Sequence, residues 1–362
     1  MTHSIMALSL RRTSAARPVV GLDIEPGRIV AAQVSVNGSV RLERVAGIDL
    51  APGIVRDGEI IDVAAVAAAL KQLWAQQPGR HRLGQEVRVG VANSKIVVRT
   101  IDVPPVTERA EIDAAVRQLA ADELPMPMES AVLDYVPIGL VDTPTGPRQR
   151  VVVTAARREM IESVLAAVTA AGLKPRGIDL SAFAMIRILG GGQLDSALYL
   201  SVGGVTNLAV VVDGVCTFAR VSGVGIESMA IQLAERCDLT LEHARMWLNH
   251  VGLERDLADI DGDAEIIAAT RAILAEGVRR LASDVRQSLE YHQSQTVAAV
   301  DFERTILTGS GASVAGFAEA LSAQLAMPVE MRSVARGSDL VSIDALPGAT
   351  IAAGLAIEQV PS

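Results

Sequence analysis

The sequence predicts a duplicated α/β fold with a cleft between its two halves. Near the N-terminus, the segment VVGLDIEPGRIVAAQVSVNGSVRLERV predicts three strands joined by a tight turn and an Asn-Gly turn. The segment ALYLSVGGVTNLAVVVDGVCTFARV, which begins at residue 197, predicts the same three strands with a glycine-rich turn and an Asp-Gly turn. Each unit leads into a segment with the apolar periodicity of a helix. Two glycine-turn hairpins that face one cleft form a natural place to hold a polyphosphate.

The composition supports this fold class and narrows the range of partners. Of the 362 residues, 50% are apolar but only 2% are aromatic, so Ala, Val, Leu and Ile must build the core. The net charge of −9 excludes broad electrostatic attraction to nucleic acid or to anionic lipid. The two cysteines, Cys216 and Cys237, are too few for a disulfide framework, and we expect both to be buried free thiols.

The N-terminal segment does not have the order of a signal peptide. In MTHSIMALSLRRTSAARP the Arg pair follows the short apolar stretch, whereas a signal peptide has its positive charges first. We therefore expect residues 1–17 to be a disordered tail. No apolar run approaches the ~20 residues that a membrane-spanning helix needs. The sequence predicts a protein of the reducing cytoplasm.

The first half is predicted to span residues 18–95. Its three strands fill residues 18–50, and Asn37-Gly38 forms the second turn. Residues 62–76 have the pattern of an amphipathic helix, with Asp62 as the N-cap. The segment EVRVGVAN then predicts a further strand.

Residues 96–155 are predicted to form a separate small insert. IVVRTIDVP predicts its first strand, Thr107 opens a helix, and Pro125 and Pro127 end that helix. The segments AVLDYVPIGL and RQRVVVTAA predict two more strands. Residues 156–197, which contain the predicted helix REMIESVLAAVTAAGL, complete the first half and link it to the second.

Residues 198–362 are predicted to form the second half. After its hairpins, residues 226–237 form one helix and Thr240 opens another, and a long helix begins at IIAATRAIL. The segments RTILTGSG, SVAGFAEALSAQLA, PVEMRS and PGATIAAGLAI then predict strand, helix, strand and helix. This alternation indicates at least one parallel crossover connection.

Two glycine-rich hairpin turns are candidate ligand-binding elements. In the first, Asp23 ends a strand and can hold a hydrated Mg²⁺, while Gly27 can let a ligand approach the backbone. In the second, Gly203 and Gly204 free backbone N–H groups to point at phosphate oxygens, and Thr206 can add a hydroxyl donor. Taken alone, each turn is better explained as an ordinary hairpin that binds nothing.

A third glycine-rich turn, TGSGA at residues 308–312, follows a strand and opens a helix. Such a turn at the end of a strand gives a nucleotide or an anion access to the backbone. The order of hairpin turn, hairpin turn and then strand–glycines–helix is hard to explain as three unrelated turns. The sequence therefore favours one phosphate-holding cleft built from all three.

At these three turns the chain resembles the actin-like ATPase superfamily, and within it the PilM family of type IV pilus assembly, a relative of FtsA. The resemblance covers about residues 18–357 and includes the insert, VVRTIDVPPVTERAEIDAAVRQLAADELPMPMESAVLDYVPIG. It also includes TFARVSGVGIESMAIQLAERCDLTLEHA, TILTGSGASVAGFAEALSAQL and ATIAAGLAI. It implies a duplicated actin-like (ribonuclease H-like) α/β fold with an interdomain nucleotide cleft and a small FtsA/PilM-type inserted subdomain.

The resemblance also implies a nucleotide site. ATP and Mg²⁺ would be held in the cleft, with Asp23 at the metal. The implied nucleotide-binding residues are Asp23, Gly27, Gly203, Gly204, Thr206, Asn207, Gly225, Gly309, Ser310, Gly311 and Ala312. No residue is assigned a catalytic role.

The chain departs from the family pattern at the residues nearest the phosphates. Glu25 and Pro26 replace a glycine and a small residue, so a carboxylate would face a phosphate and one N–H donor is missing. Ser201 replaces a carboxylate that helps to position metal and water. Arg245 and Leu248 stand where adenine pockets tend to have a Glu and a Lys. We therefore expect no efficient catalysis, and we leave open whether ATP and Mg²⁺ bind.

The resemblance implies a protein partner. The short cytoplasmic segment of a PilN-type inner-membrane protein would bind in a groove between the insert and the first half. Other pilus assembly components would be further partners, and the protein would lie on the cytoplasmic face of the inner membrane through them. The C-terminal AIEQVPS lacks the basic amphipathic helix of FtsA, so we expect no direct membrane insertion.

Two other function classes stay open at the level of sequence. A sugar-kinase-like phosphotransferase needs a catalytic carboxylate near the second turn, where Ser201 stands. An FtsA-like filament-forming ATPase fits the insert but would need the missing membrane helix. The histidines show no metal-ligand spacing, because the nearest pair, His243 and His250, would lie about 10 Å apart along a helix.

Overall fold

The computed structural model describes residues 19–36, 40–77, 79, 82–106, 108–124, 126–144, 146–190, 196–295, 304–334 and 348–357. The predicted tail at residues 1–17, the Asn37-Gly38 turn, Thr107 and Pro125 lie outside these residues.

The described residues form strands in three larger sheets and one small hairpin. The strands are β1 (Val20–Glu25), β2 (Arg28–Val36), β3 (Val40–Asp49), β4 (Val55–Arg56), β5 (Glu59–Ile60), β6 (Glu86–Val91), β7 (Val97–Val103), β8 (Ala131–Thr143), β9 (Gly146–Arg157), β10 (Lys174–Leu180), β11 (Ala197–Val202), β12 (Thr206–Val212), β13 (Val215–Ser222), β14 (Thr305–Thr308) and β15 (Val329–Met331). The helices are α1 (Val63–Ala75), α2 (Arg109–Glu123), α3 (Arg158–Ala170), α4 (Ser181–Leu189), α5 (Ile226–Cys237), α6 (Leu241–Val251), α7 (Ala264–Gln295), α8 (Phe317–Leu325) and α9 (Ala349–Ala356).

Two five-stranded sheets have the same strand order. The first is β3-β2-β1-β6-β10 and the second is β13-β12-β11-β14-β15. In both, three antiparallel hairpin strands come first, and two parallel strands extend the sheet beyond the first strand of the hairpin. The duplicated α/β fold predicted from the two hairpin units is therefore confirmed.

Helices α4 and α9 lie between the two sheets and tie the halves together. Helix α4 follows a strand of the first sheet but packs on β11, β12 and β13 of the second. Helix α9 follows the strands of the second sheet but packs on β1, β2 and β6 of the first. Arg88 on β6 anchors this exchange, because its Nη1 donates to the carbonyl oxygens of Leu355, at 3.1 Å, and Ile357, at 2.6 Å. The outer faces are covered by α1 and α3 on the first sheet and by α5 to α8 on the second.

The third sheet, β7-β9-β8, is antiparallel and carries helix α2. Its small core contains Val103, Ile112, Val116, Val151 and Val153. It contains the strands and the helix that the sequence predicted for an insert. The exact division at residues 96 and 155 stays a prediction.

Several local predictions need correction. The helix predicted to start with Ser313 begins at Phe317, because Gly316 adopts a left-handed φ of 76° that a helix cannot contain. Sequence reasoning also missed β10, α4 and the short β4-β5 hairpin. Cys216 and Cys237 are free thiols as expected, but each keeps part of its surface exposed.

Candidate functional site

The first glycine-rich turn places Asp23 and Glu25 at the end of β1. Glu25 pairs with Arg28, so Pro26 and Gly27 are the two central residues of a tight turn. Gly27 has a φ of 82°, and a proline followed by a residue with positive φ is the pattern of a type II turn. The sequence folds this way because proline fixes the first position and glycine tolerates the second.

Asp23 is almost fully buried at the base of this turn. Burial, together with the neighbouring Glu25 carboxylate, raises the pKa of Asp23 well above its usual range. Gly90 on β6 leaves the space beside it, since a Cβ there would lie 2.7 Å from Ser181 Oγ and 3.5 Å from Asp23 Oδ1. Asp23, predicted as the metal residue, therefore sits in a buried and crowded position.

The Glu25 side chain reaches across the cleft to the second glycine-rich turn. The backbone N–H of Gly204 donates to Glu25 Oε2 at 2.8 Å. Part of the Glu25 side chain borders the cavity, and protein surrounds the rest. The loss of water around the carboxyl group raises the pKa of Glu25 to about 7. The hydrogen bond from Gly204 acts in the opposite direction, and the nearby Glu227 carboxylate raises the pKa further.

The two turns are also in direct backbone contact. A Cβ on Gly203 would lie 2.4 Å from Glu25 Oε2, and one on Gly204 would lie 2.3 Å from the carbonyl oxygen of Pro26. Real Cβ contacts do not come this close. The backbone oxygen of Pro26 cannot move aside, so only glycine fits at Gly204, whereas a side chain at Gly203 would have to displace the Glu25 carboxylate. The sequence predicted that these paired glycines contact a phosphate. In this arrangement they allow the first turn to approach the second.

Arg245 on α6 connects the two halves beside this contact. Its Nε and Nη2 donate to the Glu227 carboxylate at 2.9 and 2.6 Å. Its Nη2 also donates to the carbonyl oxygen of Gly27 at 3.2 Å, and its Nη1 donates to Asp49 at 3.2 Å. Leu248, one turn further along, is fully buried in the core of the second half.

The second turn is fixed by bonds within its own half. Gly203 donates its N–H to Val205 O at 3.0 Å and accepts the N–H of Ile226 at 2.9 Å. The Thr206 hydroxyl, predicted as a phosphate donor, donates to Val224 O at 2.6 Å. Gly225 caps α5 so closely to this turn that a Cβ would lie 2.4 Å from Gly203 O.

The third turn packs against the end of β11. A Cβ on Gly309 would lie 2.6 Å from Val202 O, and one on Gly311 would lie 2.8 Å from Val202 Cβ. Ser310 donates to Val202 O at 3.4 Å, and Ala312 donates its N–H to Gly309 O at 3.1 Å. A short 3-10 helix, Ser310–Ser313, follows in place of the α-helix that sequence reasoning expected.

Ser201 and Asn207 are buried on the face of the second sheet that points toward α9. Ser201 pairs with Asn207 on β12 and with Thr308 on β14, so all three share one face. The Thr308 hydroxyl lies 2.8 Å from the Thr350 hydroxyl on α9. Within the described residues, neither polar side-chain atom of Asn207 has a hydrogen-bond partner, although the residue is 0% exposed.

The three turns border one cavity of about 150 Å³. This volume is below the roughly 300–1,000 Å³ of typical small-molecule pockets. The charged groups that line it are the carboxylates of Asp23, Glu25, Asp49 and Glu227 and the guanidinium groups of Arg28 and Arg245. Acidic side chains therefore outnumber basic ones in the cavity.

A family model described as "Type IV pilus assembly protein PilM" matches residues 21–359. The chain belongs to the PilM family. A solved structure titled "PilM-PilN type IV pilus biogenesis complex" matches with a TM-score of 0.74 and 26% sequence identity, covering 94% of this chain and 97% of that one. The ethanolamine utilization protein EutJ from Carboxydothermus hydrogenoformans matches with a TM-score of 0.55 and 15% identity over 95% of this chain and 91% of its own. The second match shows the actin-like fold alone.

In this PilM-family chain, the predicted site residues divide into two groups. Asp23, Gly27, Gly203, Gly204 and Ser310 line the cavity. The remaining ones pack around the turns; they are Thr206, Asn207, Gly225, Gly309, Gly311 and Ala312. The assignment of both groups to nucleotide binding stays a prediction.

Sequence reasoning missed several residues that line the cavity of this PilM-family chain. Arg28, Asp49, Glu227, Asn249 and Ser313 all border it. Glu227 lies in the first turn of α5, where acidic residues are common, so its position alone gave no signal. Within the described residues, no cluster of three or more His, Cys, Asp or Glu side chains is arranged to hold a metal ion.

Proposed function

We propose that this PilM-family chain is a type IV pilus assembly adaptor that binds the cytoplasmic segment of a PilN-type inner-membrane protein. The observation that carries the proposal is the similarity to the PilM of a PilM-PilN complex over 94% of this chain at 26% identity and a TM-score of 0.74. Both chains are covered almost completely, so the similarity includes the insert sheet as well as the two halves. A shared surface for a shared partner is the simplest reason for that extent.

The partner segment would bind as a short extended peptide in a groove between the insert and the first half. The insert offers an outer strand, β8, with no further strand paired to its free edge among the described residues. Val136 and Leu140 on this strand are exposed, at 43% and 68%. A strand edge with exposed apolar side chains suits peptide capture, in which main-chain bonds give affinity and side-chain pockets give specificity.

The test is a binding measurement with a synthetic PilN-type N-terminal peptide and the full chain. We expect saturable binding, and we expect the bound peptide to slow hydrogen exchange in residues 96–155 and in the adjoining strands of the first half. A scrambled peptide of the same composition is the matched control. Failure of the native peptide to bind, with and without Mg²⁺-ATP, would contradict the adaptor role.

We further infer that the nucleotide site of this family is degraded here. Three observations support this: Glu25 already uses the Gly204 N–H, Pro26 has no N–H to donate, and Ser201 supplies no carboxylate for a metal. The cavity of about 150 Å³ is also smaller than the roughly 300–1,000 Å³ of typical small-molecule pockets. These residues do not fit ATP and Mg²⁺, so we derive no hydrolytic step. The phosphotransferase alternative has the same weakness at Ser201.

The proposed location follows from the partner. No helix in the described ranges combines the length and the hydropathy needed to cross a membrane. Binding to a PilN-type segment would hold the protein at the cytoplasmic face of the inner membrane. We therefore expect the protein to fractionate with membranes only when that partner is present.

A further inference from the structure

We propose that Glu25 is an internal ligand of the Gly203–Gly204 turn and holds the two halves closed in the place of a nucleotide phosphate. The inference rests on the proposed degradation of the nucleotide site. It adds that the Glu25 side chain occupies this site. As a consequence, closure of the cleft would need no nucleotide.

The contact between Glu25 and the second turn has the geometry of an anion site. Glycine turns bind anions because they leave backbone N–H groups free to point at an oxygen. Here the Gly204 N–H donates to Glu25 Oε2 at 2.8 Å. A carboxyl oxygen accepts a hydrogen bond from a backbone N–H as a phosphate oxygen would, and the bond is charge-assisted when the carboxyl group is ionised. The bond joins residues 179 positions apart, and it therefore crosses from one half to the other.

The two glycines of the second turn fit closely around Glu25 Oε2 and the first turn. A Cβ on Gly203 would lie 2.4 Å from Glu25 Oε2, and one on Gly204 would lie 2.3 Å from Pro26 O. Both glycines are thus occupied by the backbone and side chain of the first turn. Gly27 continues the contact, since a Cβ there would lie 2.3 Å from Glu227 Oε1 on α5.

The carboxyl groups around Glu25 are balanced by the guanidinium group of Arg245. Two carboxyl groups lie near Glu25: Asp23, on the same strand, and Glu227, on α5. When ionised, these groups repel one another. Arg245 offsets this repulsion, because it holds Glu227 and also donates to Asp49 and to Gly27 O in the first half. The cation and the internal carboxylate together join the halves.

The experiment uses amide hydrogen exchange of the full-length protein at peptides that contain Gly204. The variants are Glu25→Ala, which removes the acceptor, and Glu25→Gln, which keeps an acceptor oxygen. Glu235→Gln, at an exposed position on α5, is the matched control. Sodium tripolyphosphate at millimolar concentration is the external anion.

We expect Glu25→Ala to speed exchange at Gly204 by about tenfold, while Glu25→Gln and Glu235→Gln remain close to wild type. We also expect tripolyphosphate to restore slow exchange in Glu25→Ala and to leave the wild type unchanged, because its site is already filled. Unchanged exchange in Glu25→Ala would overturn the inference. Acceleration that tripolyphosphate does not reverse would overturn the anion site and leave Glu25 a simple hydrogen-bond acceptor.

The wild-type arm stands without any variant. If tripolyphosphate slows exchange at Gly204 in the wild type, then Glu25 does not fill the site and the inference fails, even if Glu25→Ala does not fold. Peptide binding is measured separately, so a failure of the internal ligand is distinguishable from a failure of the adaptor role.

Discussion

Arg245 and Glu227 form a bidentate ion pair, with N–O distances of 2.6 and 2.9 Å, at the boundary between the two halves. The pair is more than a contact within the second half, because Arg245 also donates to Gly27 O at 3.2 Å. Glu227 is 8% exposed, so loss of Arg245 would leave a buried carboxylate without its ion-pair partner. The position of the first turn relative to α5 is therefore linked to one guanidinium group.

We predict that Arg245→Met destabilises the protein by about 2–3 kcal/mol. Removing one partner of a buried pair costs roughly 3–5 kcal/mol, and the cost is smaller here because the Arg245 side chain is 23% exposed. The double variant Arg245→Met/Glu227→Gln should recover part of the loss, since no buried charge is left without a partner. Urea unfolding measures both.

Arg279→Ala is the control for this prediction. Arg279 forms an exposed ion pair with Glu276 on α7, and solvent screening leaves such pairs little effect on stability. A loss in Arg245→Met no larger than the loss in Arg279→Ala would show that the boundary ion pair does not hold the halves together.

We predict that Gly225→Ala destabilises the second turn. The new Cβ would lie 2.4 Å from Gly203 O, and a backbone oxygen cannot move aside as a flexible side chain can. Such overpacking costs about 1–3 kcal/mol. Thermal unfolding of Gly225→Ala and of Gly177→Ala checks this, because a Cβ on Gly177 would meet only Arg88 Nε at 3.9 Å. Equal melting temperatures for the two variants would contradict the packing of the turn.

We predict that His292 makes stability depend on pH. Its side chain is 4% exposed and stacks on Phe218 at 5.3 Å, and burial lowers the pKa of His292 below 6.5. The unfolded chain then binds more protons than the folded one as the pH falls below about 6.5, so the free energy of unfolding decreases there. Above that pH the His292 side chain is neutral in both the folded and the unfolded state, so it no longer makes stability depend on pH.

Urea unfolding between about pH 5 and pH 8 measures this term. His292→Gln should flatten the fall in stability below about pH 6.5, whereas the exposed control His243→Gln should keep it. A fall of the same size in wild type and His292→Gln would assign the dependence to other groups.

The sequence was sufficient for the architecture because hairpins and glycine turns are local signals. The two three-strand units correctly predicted a duplicated α/β fold, and Asp62 correctly marked the start of α1. Strand β10 was missed because KPRGIDL contains Pro and Gly and has no clear alternation. It is a strand because it pairs in parallel with β6, a tertiary contact.

The site was predicted less completely because its contacts join distant segments. Sequence reasoning identified Glu25 as an obstacle to phosphate but could not show that it bonds to Gly204, 179 residues away. Arg245 was noted only as a departure from an adenine pocket, and its bonds to Glu227 and Asp49 have no periodic signal. Side-chain pairs between separate elements are set by the fold, and one sequence gives no direct record of them.

The Glu25 carboxyl group already occupies the Gly203–Gly204 turn, so we expect that the cleft does not serve as a nucleotide site. Calorimetric titration of the wild-type protein with Mg²⁺-ATP tests it most directly, with the double variant Glu25→Gly/Ser201→Asp as the comparison. We expect no saturable binding to the wild type below about 1 mM and measurable binding to the double variant. Binding of Mg²⁺-ATP to the wild type with a Kd of roughly 10 μM or lower would contradict the account.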